Sequence, residues 1–239
     1  MNNLRIISAL LIGLMIVSCT VAQPIPTATL APTPSPTITF TPTPARLSEG
    51  KIIFEKSSDK KFAGTVHGQG ETAIIMANMT TGGEVQWDPF VEAVDKQNFM
   101  TVTFNYLQAD FSGASQETRI VLRKLREAGY KRVICIGASL GVTSCGSLAG
   151  EPEIVGLVLI AGPNNGGSLA KVTYPKLFIA GALDRWARDT QVIYDKAAEP
   201  KTLVLFEGNS AHGASLFYSN DREEFLTLLI DFVNSLANP

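Results

Sequence analysis

The chain has 239 residues, of which 45% are hydrophobic and 18% are charged, and its formal net charge is −2 at pH 7. This length and hydrophobic content are sufficient for one substantial core. Because lysines and arginines are scattered and nearly balanced by acidic residues, the chain lacks the basic surface that nucleic acid requires, and we expect no nucleic-acid partner.

Residues 1–19 have the pattern of a bacterial export signal. An arginine precedes an apolar run over residues 6–17, which is too short to span a bilayer as a mature helix. The sequence Ile16-Val17-Ser18-Cys19 resembles a lipobox, which implies cleavage before Cys19 and lipidation of that cysteine. The alternative is an ordinary secretory signal cut near Ala22. We therefore predict a signal peptide over 1–18 and an extracytoplasmic protein whose partner is membrane lipid, anchored through Cys19.

Residues 19–46 are rich in proline and threonine, as in Thr33-Pro34-Ser35-Pro36. Such a composition cannot bury a core and favours an extended, disordered tether that reaches roughly 70–80 Å at about 3.1 Å per residue. The alternative is a ligand for a proline-recognising module. Residues 47–239 remain as one folded domain.

From residue 50 onward, strand-like runs alternate with helix-like patterns. Two runs predict an opening hairpin, and six further strands follow: Ile52–Glu55, Phe62–Val66, Ala73–Met79, Met100–Asn105, Val133–Gly137, Val155–Ile160, Lys176–Ala180 and Thr202–Glu207. Helical spacing is present at Pro89–Gln97, Gln116–Ala128, Val142–Ala149, Ala187–Ala197 and Asp221–Leu236. Because most later runs are continuously apolar, we expect an α/β fold with a mostly parallel sheet of about eight strands and helices on both faces.

The motif Gly137-Ala138-Ser139-Leu140-Gly141 follows a predicted strand directly and opens a predicted helix. That context is typical of a nucleophile elbow, in which a strained turn exposes a serine hydroxyl. Gly137 and Gly141 avoid clashes with the neighbouring strand and helix, and the helix N-terminus points toward the developing oxyanion. Ser139 is the candidate nucleophile.

A serine hydroxyl needs a base to take its proton, and the chain has only two histidines. His212 follows the last predicted strand in a glycine-containing loop that can reach back over the sheet edge. His67 lies in His67-Gly-Gln-Gly70, which superficially resembles an oxyanion-hole motif but precedes the third strand instead of following it. We therefore interpret His67 as a turn residue and His212 as the base.

The third group is expected to be an acid after the strand that precedes the histidine strand. Asp184 follows Lys176–Ala180 in such a position, and the order Ser139, Asp184, His212 is that of one known class of triads. Asp189 and Glu207 are competing acids, but the first lies in the following helix and the second ends a strand, as solvated or capping charges do.

An oxyanion needs two backbone donors. Leu140 provides the first, and the loop after the third strand leaves Asn78 or Met79 as the second. For the two remaining cysteines, a disulfide would require Cys135 and Cys145 to converge across a strand-to-helix unit. An oxidising compartment permits this bond, but we favour two separate buried thiols.

These motifs resemble the α/β-hydrolase superfamily, and within it the lidless dienelactone-hydrolase-like or small bacterial esterase-like proteins. The resemblance extends over about residues 50–237 and also includes Trp87-Asp88-Pro89-Phe90 at the first helix. It implies a serine hydrolase that cleaves a carboxylic ester or related acyl bond through an acyl-enzyme, with no cofactor and no metal.

The connection over residues 161–175 leaves no room for a sizeable cap, so we expect an open site for a small acyl substrate, with Asn164, Asn165 and Gly166 at its rim. Two alternative functions remain open. Many relatives carry a histidine near the position of Asn78, and its absence allows a catalytically weak or inactive binding lipoprotein. A serine peptidase would differ only in its leaving group.

Overall fold

The computed structural model describes residues 45–80, 83–163 and 169–237. The predicted signal peptide, Cys19 and all but the last two residues of the predicted tether lie outside this range, as do Asn164, Asn165 and Gly166. Within the described residues, none of the helices combines the length and apolar character needed to cross a membrane.

A central sheet organises the described part of the chain. Its eight strands are β1 Gly50–Glu55, β2 Lys61–His67, β3 Thr72–Ala77, β4 Phe99–Phe104, β5 Val133–Ala138, β6 Ile154–Ile160, β7 Lys176–Gly181 and β8 Lys201–Phe206, in the order β1-β2-β4-β3-β5-β6-β7-β8. The pairs β1–β2 and β2–β4 are antiparallel, and all other pairs are parallel. The predicted antiparallel entry and mostly parallel sheet are therefore confirmed.

Helices cover both faces of the sheet. They are α1 Asp88–Ala93, α2 Phe111–Glu127, α3 Leu140–Ser147, α4 Ala187–Lys196 and α5 Arg222–Asn234, with short 3₁₀ turns at Glu84–Trp87, Leu169–Lys171 and Gly213–Tyr218. Buried residues of α2, α3 and α4 form one core layer, and those of α1 and α5 form the other. Every residue of β3, β4, β5 and β7 is buried, which explains their largely apolar sequences.

Helix α2 begins at Phe111 and not at the predicted Gln116. The Asp110 side chain caps it, because its Oδ1 accepts a hydrogen bond from the Gly113 amide at 2.8 Å. A glycine and two serines in the first turns obscure the helical spacing there. The cap matters for function because it places the start of α2 beside the site described below.

One expectation from the sequence was wrong: Cys135 and Cys145 form a disulfide, with their Cα atoms 5.6 Å apart. Cys135 lies on β5 and Cys145 on α3. The tight turn between the two elements folds the helix back against its own strand, so the side chains meet. Gly137 permits this approach, since a Cβ at that position would lie 2.9 Å from the Cys145 sulfur.

No cap domain interrupts the described residues. The connection from β6 to β7 spans residues 161–175, and its described parts contain a single 3₁₀ turn at Leu169–Lys171. The loops that follow β3, β5, β7 and β8 meet at the carboxyl ends of the parallel strands, and none of the described helices forms a cap over that edge.

Candidate active site

Ser139 occupies the turn between β5 and α3 in a strained conformation, with φ 52° and ψ −110°. This left-handed φ is uncommon for a residue with a side chain, and it persists only where the surroundings hold it. Here the Ser139 amide donates to the Ile160 carbonyl at 2.9 Å, and its carbonyl accepts from the Val142 amide at 3.0 Å. The turn is thereby fixed to β6 on one side and to α3 on the other.

Close backbone contacts around the turn require residues without side chains. A Cβ on Gly141 would overlap the Ala77 carbonyl oxygen at the end of β3, and a Cβ on Gly137 would overlap the carbonyl of Gly141. A third glycine, Gly162, faces the carbonyl of Ser139 in the same way. Sequence reasoning identified the first two glycines and missed Gly162, which follows a different strand.

The structure brings together the three side chains that the sequence singles out. The His212 Nε2 atom lies 2.9 Å from Ser139 Oγ, and its Nδ1 atom lies 2.8 Å from Asp184 Oδ2. The Asp184 side chain is 3% exposed and the His212 side chain 32% exposed, so the acid is buried while the imidazole borders solvent. The Trp186 amide donates to the other carboxylate oxygen, Asp184 Oδ1, at 3.2 Å. In this arrangement a base contacts the hydroxyl and a buried acid orients the base.

The competing residues lie elsewhere. His67 is the last residue of β2, near the start of β4, where its Nε2 lies 3.3 Å from Thr103 Oγ1. Burial lowers the pKa of His67, with a smaller contribution from the charge of Lys96. Asp189 lies in the first turn of α4, Glu207 follows β8, and both are exposed. Only Asp184 among the three candidate acids has a hydrogen bond to His212 among the described contacts.

The two candidate oxyanion donors after β3 have different surroundings. Asn78 is fully buried; its side chain donates to the Phe104 carbonyl and accepts from Trp87 Nε1, the latter at 2.8 Å. Met79 borders the same pocket as Ser139, and its amide donates to Gln86 Oε1 at 3.4 Å, a long hydrogen bond. Asn78 thus anchors the loop, and Met79 faces the site. The Leu140 amide is in the first turn of α3, where amides lack intrahelical acceptors.

A pocket with a volume of about 400 Å³ opens beside the serine, and more of its exposed lining is apolar than polar. Its lining residues are Met79, Ala109, Asp110, Phe111, Ser139, Leu140, Pro163 and Trp186. A larger groove, of about 740 Å³, lies between the β1–β2 hairpin and α2. It shares no lining residue with the pocket beside Ser139, and its polar lining consists of lysine, arginine and glutamate side chains. The smaller pocket is the candidate substrate site, because a nucleophile borders it.

Sequence reasoning did not assign Phe111, Trp186 and Pro163 to the site. A tryptophan two residues after the candidate acid, and an aspartate positioned to cap a helix, are the signals that point to this pocket in retrospect. In the described part of the chain, no three His, Cys, Asp or Glu side chains are grouped as metal ligands.

No family model and no curated protein sequence matches the chain. Solved structures do match. An esterase from Exiguobacterium antarcticum superposes with a TM-score of 0.64 at 13% identity, over 76% of this chain and 98% of that one. An esterase from Pyrococcus furiosus superposes with a TM-score of 0.64 at 12% identity, over 82% of this chain and 100% of that one. An alpha-beta serine hydrolase homologue from Coxiella burnetii superposes with a TM-score of 0.61 at 16% identity, over 77% of this chain and 97% of that one.

The eight-stranded sheet, the turn that carries Ser139 and these likenesses define one class of architecture. The chain has the α/β-hydrolase fold, and its described residues contain no large cap domain.

Proposed function

We propose that the chain is a serine hydrolase that cleaves carboxylic esters through a covalent acyl-enzyme. The observation that carries the proposal is the continuous contact from Ser139 Oγ to His212, at 2.9 Å, and from His212 to Asp184, at 2.8 Å. These contacts are in the range at which a base can take the serine proton while an acid holds the imidazole in one tautomer.

In the acylation step, Ser139 Oγ attacks the ester carbonyl carbon while His212 Nε2 accepts the hydroxyl proton. The carbonyl oxygen becomes an oxyanion, which the Leu140 and Met79 amides stabilise. His212 then donates the proton to the leaving alkoxide oxygen as the carbon–oxygen bond breaks. Asp184 stays ionised and stabilises the imidazolium through its hydrogen bond to Nδ1.

In the deacylation step, water takes the place of Ser139 as the nucleophile. His212 accepts a proton from the water as its oxygen attacks the acyl carbon, and it returns that proton to Ser139 Oγ when the acid product leaves. For Met79 to contribute, its amide exchanges the 3.4 Å contact with Gln86 for the oxyanion. The exchange costs little, because a hydrogen bond of that length is weak.

The dimensions of the pocket support a small acyl substrate. A volume of about 400 Å³ and a lining that includes Phe111, Leu140 and Trp186 suit a short apolar acyl group. The short connection between β6 and β7 agrees with direct access from solvent. Among the described residues, no cap encloses the pocket as a long fatty chain would require.

Labelling with a fluorophosphonate, together with turnover of p-nitrophenyl acetate, tests the proposal. Wild-type protein is expected to react at Ser139, and Ser139→Ala is expected to lose both labelling and turnover. Ser147→Ala is the matched control, because Ser147 lies on the same helix and its Oγ donates to the Ser144 carbonyl. An unlabelled wild type, or full activity in Ser139→Ala, contradicts the proposal.

The alternatives give different outcomes in a wider substrate panel. A catalytically weak or inactive binding lipoprotein would show no robust turnover of any short acyl ester, and a peptidase would prefer peptide substrates to esters. The direct contact of Ser139 Oγ with His212 favours catalysis over binding alone.

We further propose that the protein is exported and anchored to membrane lipid through Cys19. The lipobox-like Ile16–Cys19 sequence supports lipidation. The Cys135–Cys145 disulfide supports export, because disulfides persist chiefly in oxidising compartments. Processing that globomycin blocks, and that Cys19→Ala abolishes, is the expected result. Unchanged processing under both conditions contradicts the lipid anchor.

A further inference from the structure

The loops that carry Asp184 and His212 meet at one residue, Asn209. It lies between β8 and His212, and its backbone carbonyl accepts a hydrogen bond at 2.9 Å from the amide of Leu183, the residue before Asp184. Gly181 allows this close approach, because a Cβ there would lie 2.6 Å from the Asn209 carbonyl oxygen. The main chain of Asn209 therefore joins the acid loop to the histidine loop.

The side chain of Asn209 makes three further hydrogen bonds. Its Oδ1 accepts from the amide of Ala211, the residue before His212, at 2.7 Å. Its Nδ2 donates to Ser219 Oγ at 2.9 Å and to Asp221 Oδ2 at 2.6 Å. The half-buried amide thus holds the histidine loop against the segment that precedes α5.

Helix α5 gives this contact a rigid base. It begins at Arg222, directly after Asp221, and buries Phe225, Leu229 and Val233 in the core. The Asp221 carbonyl also accepts from the Phe225 amide at 2.8 Å, so the segment is continuous with the first turn of the helix. The contacts of Asn209 therefore connect the histidine loop to a helix that is packed into the core.

The chemistry at this position requires a primary amide. One oxygen accepts while two N–H groups donate to two separate acceptors, and a carboxylate of the same shape has no donor. An aspartate at position 209 would also face the Asp221 carboxylate across the 2.6 Å contact, and two carboxylates at that distance repel.

We propose that Asn209 is a positioning residue that fixes His212 relative to Asp184 and Ser139 through its side-chain amide. The inference rests on the proposed hydrolase function and assigns this residue no contact with the substrate. Its side chain acts on the histidine loop through the Ala211 amide. Its backbone carbonyl holds the Leu183 amide, and the substitutions below leave that contact in place.

A charge exchange tests the proposal on the full chain. Asn209→Asp is expected to lower kcat for p-nitrophenyl acetate by about 10–100-fold near neutral pH with KM changed little, because small displacements of catalytic groups have effects of this size. The ratio of variant to wild-type kcat/KM is expected to rise from about pH 8 to about pH 5, since one of two facing carboxylates then binds a proton and can donate.

The double variant Asn209→Asp/Asp221→Asn restores a donor and an acceptor in reversed positions, and we expect it to recover most of the lost kcat. Asn98→Asp is the matched control. Asn98 Nδ2 donates to Asp95 Oδ2 at 2.7 Å, in an exposed loop before β4 and away from the site, so this variant is expected to retain wild-type kcat.

The outcomes separate the two proposals. Wild-type protein that hydrolyses no ester refutes the proposed function, and this inference with it. An active wild type with an equally active Asn209→Asp variant refutes the positioning role alone. If Asn209→Asp does not fold, the double variant decides. A double variant that melts like wild type but has a kcat no higher than the rate of Ser139→Ala refutes the inference. Recovered kcat supports it.

Discussion

Asp184→Asn removes one negative charge from the candidate site with almost no change in shape. The carboxylate has two partners: His212 Nδ1 lies 2.8 Å from Oδ2, and the Trp186 amide donates to Oδ1 at 3.2 Å. An asparagine satisfies the Trp186 amide only with its oxygen, which leaves its NH₂ group facing Nδ1. His212 must then carry its proton on Nε2, toward Ser139 Oγ, and it can no longer accept the serine proton.

The expected loss in kcat is about 10⁴-fold, the effect that the same substitution has in serine proteases with this arrangement of groups. At about 1.36 kcal/mol for each factor of ten, the loss corresponds to about 5.4 kcal/mol in the activation barrier. The free energy of unfolding is expected to fall by less than about 3 kcal/mol, because a charge-assisted hydrogen bond is replaced by a neutral one.

Steady-state hydrolysis of p-nitrophenyl acetate and thermal unfolding measure the two quantities separately. Asp189→Asn and Glu207→Gln are the controls, since both acids are exposed and neither has a described hydrogen bond to His212. Activity of Asp184→Asn within tenfold of wild type would refute the assignment of the acid. A larger loss in either control than in Asp184→Asn would assign the role to that residue.

Three further predictions address the fold and the remaining histidine. Gly141→Ala is expected to lower the free energy of unfolding by about 3 kcal/mol and Tm by about 6–12 °C, because the new Cβ overlaps the Ala77 carbonyl. The control is Gly156→Ala, whose new Cβ would contact the flexible tip of a side chain, and calorimetry should show a smaller shift in its Tm. Glu153→Gln tests the acid dependence of stability: the hydrogen bond from Arg126 lowers the pKa of Glu153 from 4.5, so its stabilising effect is present above about pH 4.5 and is lost as pH falls through the lowered pKa. The Tm difference between wild type and this variant should therefore shrink from neutral pH to about pH 3, and a constant difference contradicts the reasoning. His67→Gln is expected to retain ester hydrolysis, and loss of hydrolysis in this variant contradicts a structural role for His67. Because burial lowers the pKa of His67, NMR should show the wild-type imidazole titrating below pH 6.5. The stability that neutral His67 contributes is then lost as pH falls below about 6.5.

The sequence predicted the strands well because fully buried strands have continuous apolar runs, as Val133–Ala138 has. It could not predict the β1-β2-β4-β3 order, which depends on pairing between distant segments. The Cys135–Cys145 disulfide was missed for a related reason: the angle at which α3 returns to β5 is a tertiary property. Periodicity also failed at Phe111, where an aspartate cap starts a helix whose first turn is small and polar.

For the candidate site, the scarcity of histidine and the chain order were enough to choose three side chains that the structure places in contact. Their distances, and the pocket beside them, depend on which loops the sheet brings together. Phe111 and Trp186 follow different strands and share the pocket with Ser139 only because β4, β5 and β7 end at one edge. Such neighbours are not encoded in any local spacing.

The groups of the candidate site are held by two different kinds of interaction. The turn at Ser139 is fixed from several sides by backbone contacts and by the disulfide beneath it, and the residues on either side of Ser139 are buried. His212 lies instead on a half-exposed loop that polar contacts through Asn209 connect to α5. Water can replace a polar contact near the surface more readily than it can separate packed, buried backbone. The histidine loop is therefore the less constrained part of the site. The strained nucleophile is thus built into the core, and alignment of the base depends on a small number of hydrogen bonds.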